Sequence, residues 1–456
     1  MRPKIGVLLS AAVFLGACVA DQGYEPPVKQ GFVFPPAPAV HDGPIDPGLG
    51  SYLRRLTPTL LMGTFDAQTL EPLASSDDAR LAWFLSDLLR FAEPDEQGVI
   101  VDAFERLTGV DLRADPSFGG GPWTSMTDHL IAWDLPAWDG YAGLKAPLFL
   151  LLEPGWAPFF ADADAEIDWR LVSWGGVFID ARPLGDLDPC PRGCIPALDD
   201  PALTVAEDGS WYPDDAIVFG IVVGGEAVAL PKNIMEVHEM VNMTIGGRRL
   251  GIPYCTLCGS AQAYLTDSVP AGVAQPVLRT SGLLSRSNKV MYDLNTFSIF
   301  DTFTGRALSG PLQDRNVVLE QVSVVTSTWA AWKQAHPDTK IVAEDGGIGR
   351  TYEADPLRGR DDEGPIFPIG DVDSRLAVQT QVLGVIAPDG TPVAFPVEAA
   401  VAALAAGERV ELNDIALETD GDGLRARAID GRELPAHQAF WFAWSQFHPD
   451  TEVWER

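Results

Sequence analysis

An eleven-residue motif that occurs twice decides how the fold is predicted. Its first occurrence is Trp329-Ala330-Ala331-Trp332-Lys333-Gln334-Ala335-His336-Pro337-Asp338-Thr339. Its second is Trp441-Phe442-Ala443-Trp444-Ser445-Gln446-Phe447-His448-Pro449-Asp450-Thr451, and eight of the eleven positions are identical. A weaker match lies upstream of each occurrence: Val228-Ala229-Leu230-Pro231 and Val393-Ala394-Phe395-Pro396. Internal repetition indicates a structural unit that is built twice, so residues 215–342 and 380–454 are predicted to be two unequal copies of one unit.

The segments around these motifs predict short antiparallel strands with packed helices. Residues 217–223 and 227–230 are apolar runs on either side of Gly224-Gly225, which is typical of a β-hairpin. Pro231 then begins a predicted helix. The second unit is shorter by about fifty residues, and the segment that it lacks is predicted to be the one with Cys255 and Cys258.

The first part of the chain has helical periodicity instead. Apolar residues recur at steps of three and four, and Gly109 closes one such stretch. A tryptophan-rich segment from Trp123 to Trp174 contains the apolar run 148–152, whose periodicity does not distinguish a strand from a helix. The predicted fold is therefore α+β, with an N-terminal mainly helical region followed by two unequal copies of an antiparallel β unit with packed helices.

Five segments are predicted along the chain. Residues 1–18 form a lipoprotein signal peptide, and residues 19–50 form a tether rich in proline and glycine. Residues 51–185 form the mainly helical, tryptophan-rich region. Residues 186–345 form the first repeat unit, with the Cys-x-x-Cys motif, and residues 346–456 form the shorter, degenerate second unit.

The first eighteen residues have the composition of a bacterial export signal. A basic start precedes an apolar stretch at residues 5–15, which is too short to span a bilayer. It ends in Leu15-Gly16-Ala17-Cys18, which resembles the site where bacterial lipoproteins are acylated and cleaved. A lipid on Cys18 would anchor the exported protein in the cell envelope, and Val19, by resemblance to the sorting rule of double-membraned bacteria, favours the outer membrane facing the periplasm. The alternative is an ordinary signal peptide with a chance cysteine.

Composition excludes some classes of partner. The chain of 456 residues has 64 acidic and 32 basic residues, a net charge of −32, which repels phosphate backbones and anionic lipid surfaces. No nucleic-acid partner is therefore predicted. The sequence contains no phosphate loop, dinucleotide fingerprint or nucleophile elbow, so no nucleotide cofactor is predicted either.

The stretch Cys255-Thr256-Leu257-Cys258 indicates chemistry most clearly. Two thiols three positions apart can bind one metal ion or form a redox disulfide, while a structural disulfide or two buried thiols are the alternatives. His238-Glu239 lies on the predicted helix just upstream, and the second unit has Ala403 and Leu404 in the same register, so the unit can fold without the pair. The sequence predicts a copper or zinc site formed by Cys255, Cys258, His238 and Glu239.

Other polar residues are interpreted in less specific terms. The spacing of Cys190 and Cys194 favours a local disulfide over a contribution to the metal site. His336 and His448 occur in both copies of the motif and are interpreted as architectural. A polar and then apolar run is predicted to line a pocket, with Met291 as a residue that can bind copper: Arg286, Asn288, Met291, Tyr292 and Asp293.

Several motifs together resemble domain-of-unknown-function family 3179, whose members are exported bacterial and archaeal proteins. The resemblance spans about residues 190–454 and is carried by Gly193-Cys194-Ile195-Pro196-Ala197-Leu198-Asp199-Asp200-Pro201, His238-Glu239-Met240-Val241-Asn242, Tyr254-Cys255-Thr256-Leu257-Cys258-Gly259-Ser260, Ser281-Gly282-Leu283-Leu284, Met291-Tyr292-Asp293 and the two His-Pro-Asp-Thr blocks. The family usually has proline at the position of Thr256 and a different residue at that of Cys194, so the resemblance covers Cys255 and Cys258 but not Cys194. It implies export and often lipid anchoring, and it implies no reaction.

The expected function is that of a cell-envelope lipoprotein that binds copper or zinc at a Cys-x-x-Cys plus His-Glu site. One alternative is a thiol–disulfide oxidoreductase that uses Cys255 and Cys258. Another is a non-catalytic surface binding module whose disulfides are structural. The sequence assigns no substrate and leaves open whether the protein is an enzyme.

Overall fold

The described N-terminal part of the protein is helical. The computed structural model describes residues 32–61, 67–359 and 364–456. Before the first strand, these ranges contain α1 (Pro47–Leu61), α2 (Ala67–Ala74), α3 (Ala82–Phe91), α4 (Pro94–Thr108), α5 (Pro122–Ala132), α6 (Tyr141–Leu152) and α7 (Ala157–Ala161). Across the described ranges, no helix combines the length and the apolar character that crossing a bilayer requires.

Local sequence signals set the ends of helix α4. Pro94 occupies the first turn, and Glu93 and Glu96 form a reciprocal capping box there. The helix ends at Thr108, and Gly109 follows in the left-handed conformation with φ 74°. The predicted helix end at Gly109 is therefore confirmed. The run 148–152, which the sequence left unassigned, is the end of α6.

Short strands and five further helices follow. They are β1 (Val172–Trp174), β2 (Leu198–Asp199), β3 (Leu203–Val205), β4 (Ile217–Val223), β5 (Glu226–Pro231), α8 (Lys232–His238), β6 (Met240–Ile245), β7 (Arg248–Cys255), β8 (Ser260–Ala261), β9 (Ala263–Leu265), β10 (Leu278–Ser285), β11 (Asn288–Asp293), β12 (Ile299–Phe300), α9 (Gly310–Gln313), β13 (Glu320–Val322), β14 (Val325–Thr328), α10 (Trp329–Ala335), β15 (Lys340–Val342), β16 (Gln381–Ile386), β17 (Pro392–Pro396), α11 (Val397–Ala405), β18 (Glu411–Leu412), β19 (Ile415–Asp420), β20 (Gly423–Ala428), β21 (Glu433–Leu434), β22 (Ala436–Phe440), α12 (Trp441–Phe447) and β23 (Glu452–Val453).

The strands of the described residues form five small sheets in which most neighbours are antiparallel. Their strand orders are β1-β10-β11-β12, β13-β9-β7-β6-β2 with β8 beside β7, β14-β4-β5-β15-β3, β22-β16-β17-β23 and β18-β19-β20-β21. Parallel pairing occurs at β2 with β6, β5 with β15, and β17 with β23. A helical region followed by mainly antiparallel sheets confirms the predicted α+β class.

Strand β1 connects the helical region to the first sheet. It pairs with β10, with Val172 opposite Ser285 and Trp174 opposite Leu283. The indole Nε1 of Trp156 also donates to the main-chain oxygen of Ser281 at 2.8 Å. The apolar core of the helices continues into residues of β10 and β11. The helices and this sheet therefore share one core.

Two of the sheets have the same strand order around the repeated motif. In β14-β4-β5-β15 and in β22-β16-β17-β23, two antiparallel pairs are followed by one parallel pair. The indole Nε1 of Trp332 donates to Thr339 Oγ1 at 3.0 Å, and that of Trp444 donates to Thr451 Oγ1 at 2.9 Å. Identical motif residues therefore make the same contact in both sheets, while the segments between the matching strands differ.

Candidate functional site

The two cysteines of the Cys-x-x-Cys motif lie together in the protein interior. Cys255 is the last residue of β7, and a single 3₁₀ turn over Thr256–Cys258 follows it. Gly259 ends this turn in the left-handed conformation with φ 57°, and Ser260 returns opposite Cys255 in the β7–β8 pair. Both cysteines are free thiols, with exposed fractions of 2% and 0%. The turn thus places two reduced sulfur atoms out of contact with solvent.

The main-chain oxygen of Ser287 is the shared neighbour of the two thiols. It lies 3.9 Å from the Sγ atom of Cys255 and 3.6 Å from that of Cys258. The Ser287 hydroxyl lies 3.9 Å from Cys258 Sγ. Ser287 belongs to the β10–β11 turn, in which Arg286 has the left-handed φ of 55°. Two sulfur atoms from one segment and two oxygen atoms from another therefore meet in one buried space.

A buried lysine and the hydrogen bond between the two thiols affect the ionisation of this pair. Lys289 Nζ donates to the main-chain oxygen of Tyr254 at 2.9 Å and pairs with Glu239 Oε2 at 3.0 Å. Burial acts to raise the pKa of the Cys255 thiol, but the hydrogen bond from Cys258 and the charge of Lys289 outweigh it, so this pKa lies below its usual value. Burial and the Cys255 sulfur raise the pKa of Cys258 well above its usual value. Cys255 is therefore the first thiol to lose its proton.

Three buried side-chain oxygens on segments that adjoin the cysteine turn have no hydrogen-bond partner among the described residues. They are Ser260 Oγ, Asn288 Oδ1 and Gln381 Oε1. Ser260 faces Cys255 across the strand pair, Asn288 begins β11 directly after Ser287, and Gln381 Nε2 would lie 3.0 Å from a methyl group at Gly259. A buried polar atom without a partner costs about 1–3 kcal/mol. Each of these oxygens can therefore accept a hydrogen bond from a water or a ligand.

His238 does not reach the cysteines. Its Nδ1 lies 2.7 Å from the main-chain oxygen of Pro196, which can only accept, so Nδ1 carries the proton. Its Nε2 then accepts from the Tyr352 hydroxyl at 2.7 Å. Burial lowers the pKa of His238 to about 4. Both ring nitrogens are therefore engaged, and in the described ranges neither His238 nor any other ligand-type side chain forms a group of three with Cys255 and Cys258.

Glu239 lies beside the cysteine turn. It ends α8 in the left-handed conformation with φ 51°, which is uncommon for a residue with a side chain. Its carboxylate accepts from Thr256 Oγ1 at 3.1 Å and pairs with Lys289. Of the four predicted ligands, the structure thus brings Cys255 and Cys258 together and places Glu239 next to them through Thr256 and Lys289.

Cys190 and Cys194 are joined by a disulfide. With Asp180 they form a group whose ligand-type atoms lie within 4.8 Å of one another, an arrangement that could hold a metal ion. The disulfide occupies both sulfur atoms, however, and the Asp180 carboxylate already accepts from Arg182 at 2.7 and 3.0 Å and from the main-chain nitrogen of Ala197 at 2.8 Å. This group can therefore bind a metal only after the disulfide is reduced and Asp180 is released.

The five residues predicted to line one pocket lie in different surroundings. Arg286 lines a pocket between the helices and the first sheet, and Asn288 follows Ser287, whose carbonyl oxygen contacts the thiols. Met291 packs in a different apolar cluster from the cysteines. The buried Tyr292 hydroxyl donates to a main-chain oxygen at 2.7 Å, and the Asp293 carboxylate accepts from a main-chain nitrogen at 2.8 Å. Met291, Tyr292 and Asp293 thus pack in the core or bond to the main chain, as structural residues do.

The histidines of the repeated motif pack on its tryptophans. The ring centroids are 4.0 Å apart for Trp332 and His336 and 4.3 Å apart for Trp444 and His448. The Nε2 atom of His336 lies 2.7 Å from Asp420 Oδ1. Burial lowers the pKa of His448 to about 4. These surroundings are structural, in line with the architectural interpretation.

The sequence did not reveal Ser287 and Lys289 as part of the site. Ser287 contributes its main-chain oxygen, for which side-chain type gives no signal. Lys289 carried a usable signal, because it directly precedes the apolar residues 290–292 and a lysine within a buried strand needs a charged or carbonyl partner.

Comparisons with known proteins identify a family but no individual relative. No curated protein matches the chain, and no solved structure matches it. A family model matches residues 192–451, which is more than half of the 456 residues. The matched segment contains the cysteine pair and the whole of both repeated motifs, and it confirms the resemblance predicted from the sequence. The chain belongs to the family described as "Protein of unknown function (DUF3179)".

Proposed function

We propose that this protein binds a transition-metal ion through the thiolates of Cys255 and Cys258. The observation that carries the proposal is the pair of free thiols, buried against the Ser287 carbonyl oxygen, with oxygen atoms that lack partners on the adjoining segments. Thiolates select copper(I) and zinc among the metals available to cells. Glu239 supports the site by holding Thr256 and Lys289, and His238 is not part of the proposed ligand set.

Burial favours an ion over a protein as the partner of these thiols. Disulfide exchange with another protein requires a thiolate that a partner sulfur can approach. Only 2% of Cys255 and none of Cys258 is exposed. A metal ion is much smaller than a protein disulfide, so it requires only a narrow path to the site.

The test is the metal content of the purified protein together with a count of free thiols. We expect about one copper or zinc ion per chain by elemental mass spectrometry, and loss of that ion in Cys255→Ser and in Cys258→Ser. The double variant Cys190→Ser with Cys194→Ser is the matched control, because it removes the other cysteine pair and should keep the ion. Absence of metal after reduction and reloading, with Cys255 and Cys258 oxidised, would contradict the proposal.

The unequal pKa values of the two thiols favour one other function, a thiol–disulfide oxidoreductase. In that reaction the Cys255 thiolate attacks a substrate disulfide, and Cys258 then displaces the substrate sulfur. As the Cys255–Cys258 bond forms, the two cysteine thiols lose two electrons and two protons, which reduce the substrate disulfide, so that the substrate leaves as two thiols. This function requires the buried turn to open. A Cys258→Ser variant would accumulate a mixed disulfide on Cys255, which mass spectrometry detects, whereas a metal site would not produce it.

We further propose that the protein is exported and anchored in the cell envelope by a lipid on Cys18, facing the periplasm in a double-membraned host. Cys18 lies outside the described residues. The Cys190–Cys194 disulfide supports export, because disulfides persist in oxidising compartments. Incorporation of labelled fatty acid should be lost in a Cys18→Ala variant. Equal labelling of the variant and the parent protein would rule out this anchor.

We also propose that residues 215–342 and 380–454 are unequal copies of one unit. Their support is the shared strand order and the matching indole hydrogen bonds of Trp332 and Trp444. In the first unit, the segment between α8 and β14 contains the cysteine pair. The corresponding segment of the second unit, between α11 and β22, contains the four-stranded sheet β18–β21. Under this proposal, the metal site belongs to one copy alone.

A further inference from the structure

Two arginines that lack carboxylate partners line the same pocket. The pocket lies at the junction between the helical region and the first sheet. Within the described ranges, ten arginines are at least partly withdrawn from solvent, and eight of them form ion pairs with aspartate or glutamate. The other two are Arg90 and Arg286, and both line this pocket. The two partly buried arginines without a carboxylate in ion-pair contact therefore line the same pocket.

Arg90 projects from the last turn of α3 between two indole rings. Its Cζ lies 4.6 Å from the ring centroid of Trp123 and 5.2 Å from that of Trp174. Its Nε and Nη2 atoms donate to the main-chain oxygen of Trp174 at 3.2 and 3.0 Å. These bonds leave Nη1 for another acceptor. Burial lowers the pKa of Arg90 to about 10, as expected for a charge that no carboxylate compensates.

Arg286 reaches the pocket from the β10–β11 turn. Its main-chain nitrogen donates to the oxygen of Leu171 at 2.8 Å, which fixes the turn against the segment that leads into β1. Its Nη1 donates to the main-chain oxygen of Gln446 at 2.6 Å. Burial lowers the pKa of Arg286 as well. One neutral carbonyl group therefore holds this guanidinium, and Asp134 and Asp168 offset its charge only from beyond ion-pair distance.

The other charged groups of the pocket are already paired. Asp87 accepts from Lys145 Nζ at 2.9 Å and from the Tyr141 hydroxyl at 2.5 Å. Arg170 pairs with Asp168 at 2.6 Å. The uncompensated charge of the pocket therefore comes from its two unpaired arginines. The remaining wall is apolar or carries hydroxyl groups: Trp83, Ser86, Trp123, Thr127, Ile131 and Phe149.

We propose that this pocket binds a small oxyanion, such as a carboxylate or an inorganic oxyanion, between Arg90 and Arg286. Guanidinium groups present donors in a planar fork that matches carboxylate and phosphate oxygens. The free space inside is about that of one water-sized group, so the ligand is small or inserts only its anionic end. An anion would offset the cost of burying two positive charges without partners. The site is independent of the cysteine pair.

The anion would also strengthen the junction between the two regions. Arg90 belongs to a helix and Arg286 to a hairpin of the first sheet, so one ligand would bind to both. Because the ligand binds the folded protein, its presence should raise the melting temperature. A general salt effect would not depend on these two side chains.

Calorimetric titration of the purified protein with sodium formate and with sodium phosphate, at constant ionic strength, tests the proposal. We expect saturable binding of at least one of the two anions, and the tighter one identifies the ligand as a carboxylate or a phosphate-type anion. Arg286→Gln and Arg90→Lys should each weaken binding at least about tenfold. Arg315→Gln is the matched control, because Arg315 is exposed and forms no ion pair among the described residues, so this variant should bind like the parent protein.

Circular dichroism of each variant shows whether it is folded, and Arg286→Gln, which lies in a turn and not in a core helix, keeps the test informative if Arg90→Lys does not fold. Lack of saturable binding of either anion by the parent protein would overturn the proposal. So would equal binding by folded Arg286→Gln and the parent protein.

Discussion

At the scale of single residues, the hydrogen bond between two neighbouring thiols separates their behaviour, and one positive charge adds to the effect. Lys289 lies beside Tyr254 and Glu239, and its charge helps to keep the pKa of Cys255 below its usual value despite burial. Burial and the neighbouring sulfur instead raise the pKa of Cys258. An ion that binds both sulfurs as thiolates must therefore displace the proton of Cys258 at neutral pH.

This requirement predicts a pH dependence of metal affinity. We expect the apparent affinity for Zn²⁺ to rise with pH, because binding displaces protons from the thiols. The rise should be about a hundredfold per pH unit where both thiols are protonated, and about tenfold per pH unit where Cys258 alone is protonated. Competition with a chelating dye of known affinity, measured across a pH series, gives this slope. Cys255→Ser should lose both the affinity and its slope. An affinity of the parent protein that does not change with pH would contradict the prediction.

Glu239→Gln distinguishes a neighbouring charge from a metal ligand. The negative charge of Glu239 raises the pKa of Cys255, so its removal should lower that pKa further and leave metal affinity at neutral pH undiminished. Lys289→Met should have the opposite effect and weaken binding, because it removes the charge that favours the thiolate. Ultraviolet absorbance of the thiolate reports the pKa, and dye competition reports the affinity. A large loss of affinity in Glu239→Gln would identify this carboxylate as a ligand.

The sequence could indicate the cysteine pair but not the neighbours of His238. The spacing of Cys255 and Cys258 is a local signal, because one turn suffices to bring the sulfurs together. The partners of the His238 ring lie 42 and 114 residues away in the chain. The backbone also changes from helical at His238 to left-handed at Glu239, which sends two adjacent side chains to different neighbours. No pattern in the sequence contains that change.

At the scale of elements, tryptophan rings take the place of side chains on two strands. A methyl group at Gly220 of β4 would lie 2.4 Å from the ring of Trp332, and one at Gly384 of β16 would lie 2.1 Å from the ring of Trp444. Both tryptophans are fully or almost fully buried, so the rings cannot move aside without disturbing the core. Each helix of the repeated motif is thereby packed directly against a strand backbone.

Gly220→Ala and Gly384→Ala should each lower the free energy of unfolding by about 1–3 kcal/mol or more, because they overpack the contact with the ring. Denaturant unfolding followed by tryptophan fluorescence measures this loss. Gly98→Ala is the matched control, since Gly98 lies in α4 with no atom near the added methyl group, and it should be stabilising by up to about 1 kcal/mol. Variants at Gly220 and Gly384 that are as stable as the parent would contradict the packing described here.

Short-range elements could be predicted from the sequence, whereas strand order could not. The hairpin at residues 217–230 is confirmed as β4 and β5, because Gly224 and Gly225 adopt φ values of 58° and 83° that favour glycine in tight turns. The neighbours of β9, by contrast, include β13, where Glu320 lies opposite Leu265. Residues so far apart in the chain leave no periodic signal of their pairing.

At the scale of the whole molecule, buried histidines make stability depend on pH. Burial lowers the pKa of His238 to about 4 and that of His448 to about 4, and burial together with the charge of His448 lowers that of His437 to about 3. In the unfolded chain each would titrate near its ordinary value of 6.5. Between these limits the unfolded chain binds more protons than the folded one.

The free energy of unfolding should therefore be highest above the pKa that these histidines have in the unfolded chain. It should fall as the pH decreases from 6.5 towards 4. Each of these histidines contributes a slope of about 1.4 kcal/mol per pH unit while the folded protein keeps it neutral. Denaturant midpoints across a pH series measure the slope, and His437→Gln should make it shallower. A free energy of unfolding that is equal at both ends of this range would contradict the prediction.

The pairing of β1 with β10 has a consequence for which part of the chain can fold by itself. A fragment limited to the family match, residues 192–451, would lack β1 and Trp156 and would expose the outer edge of β10. An exposed strand edge accepts strands from other chains, so this fragment should self-associate, and one that starts before α1 should sediment as a smaller species. We therefore expect the autonomous folding unit of this chain to extend beyond residues 192–451 and to include the N-terminal helices.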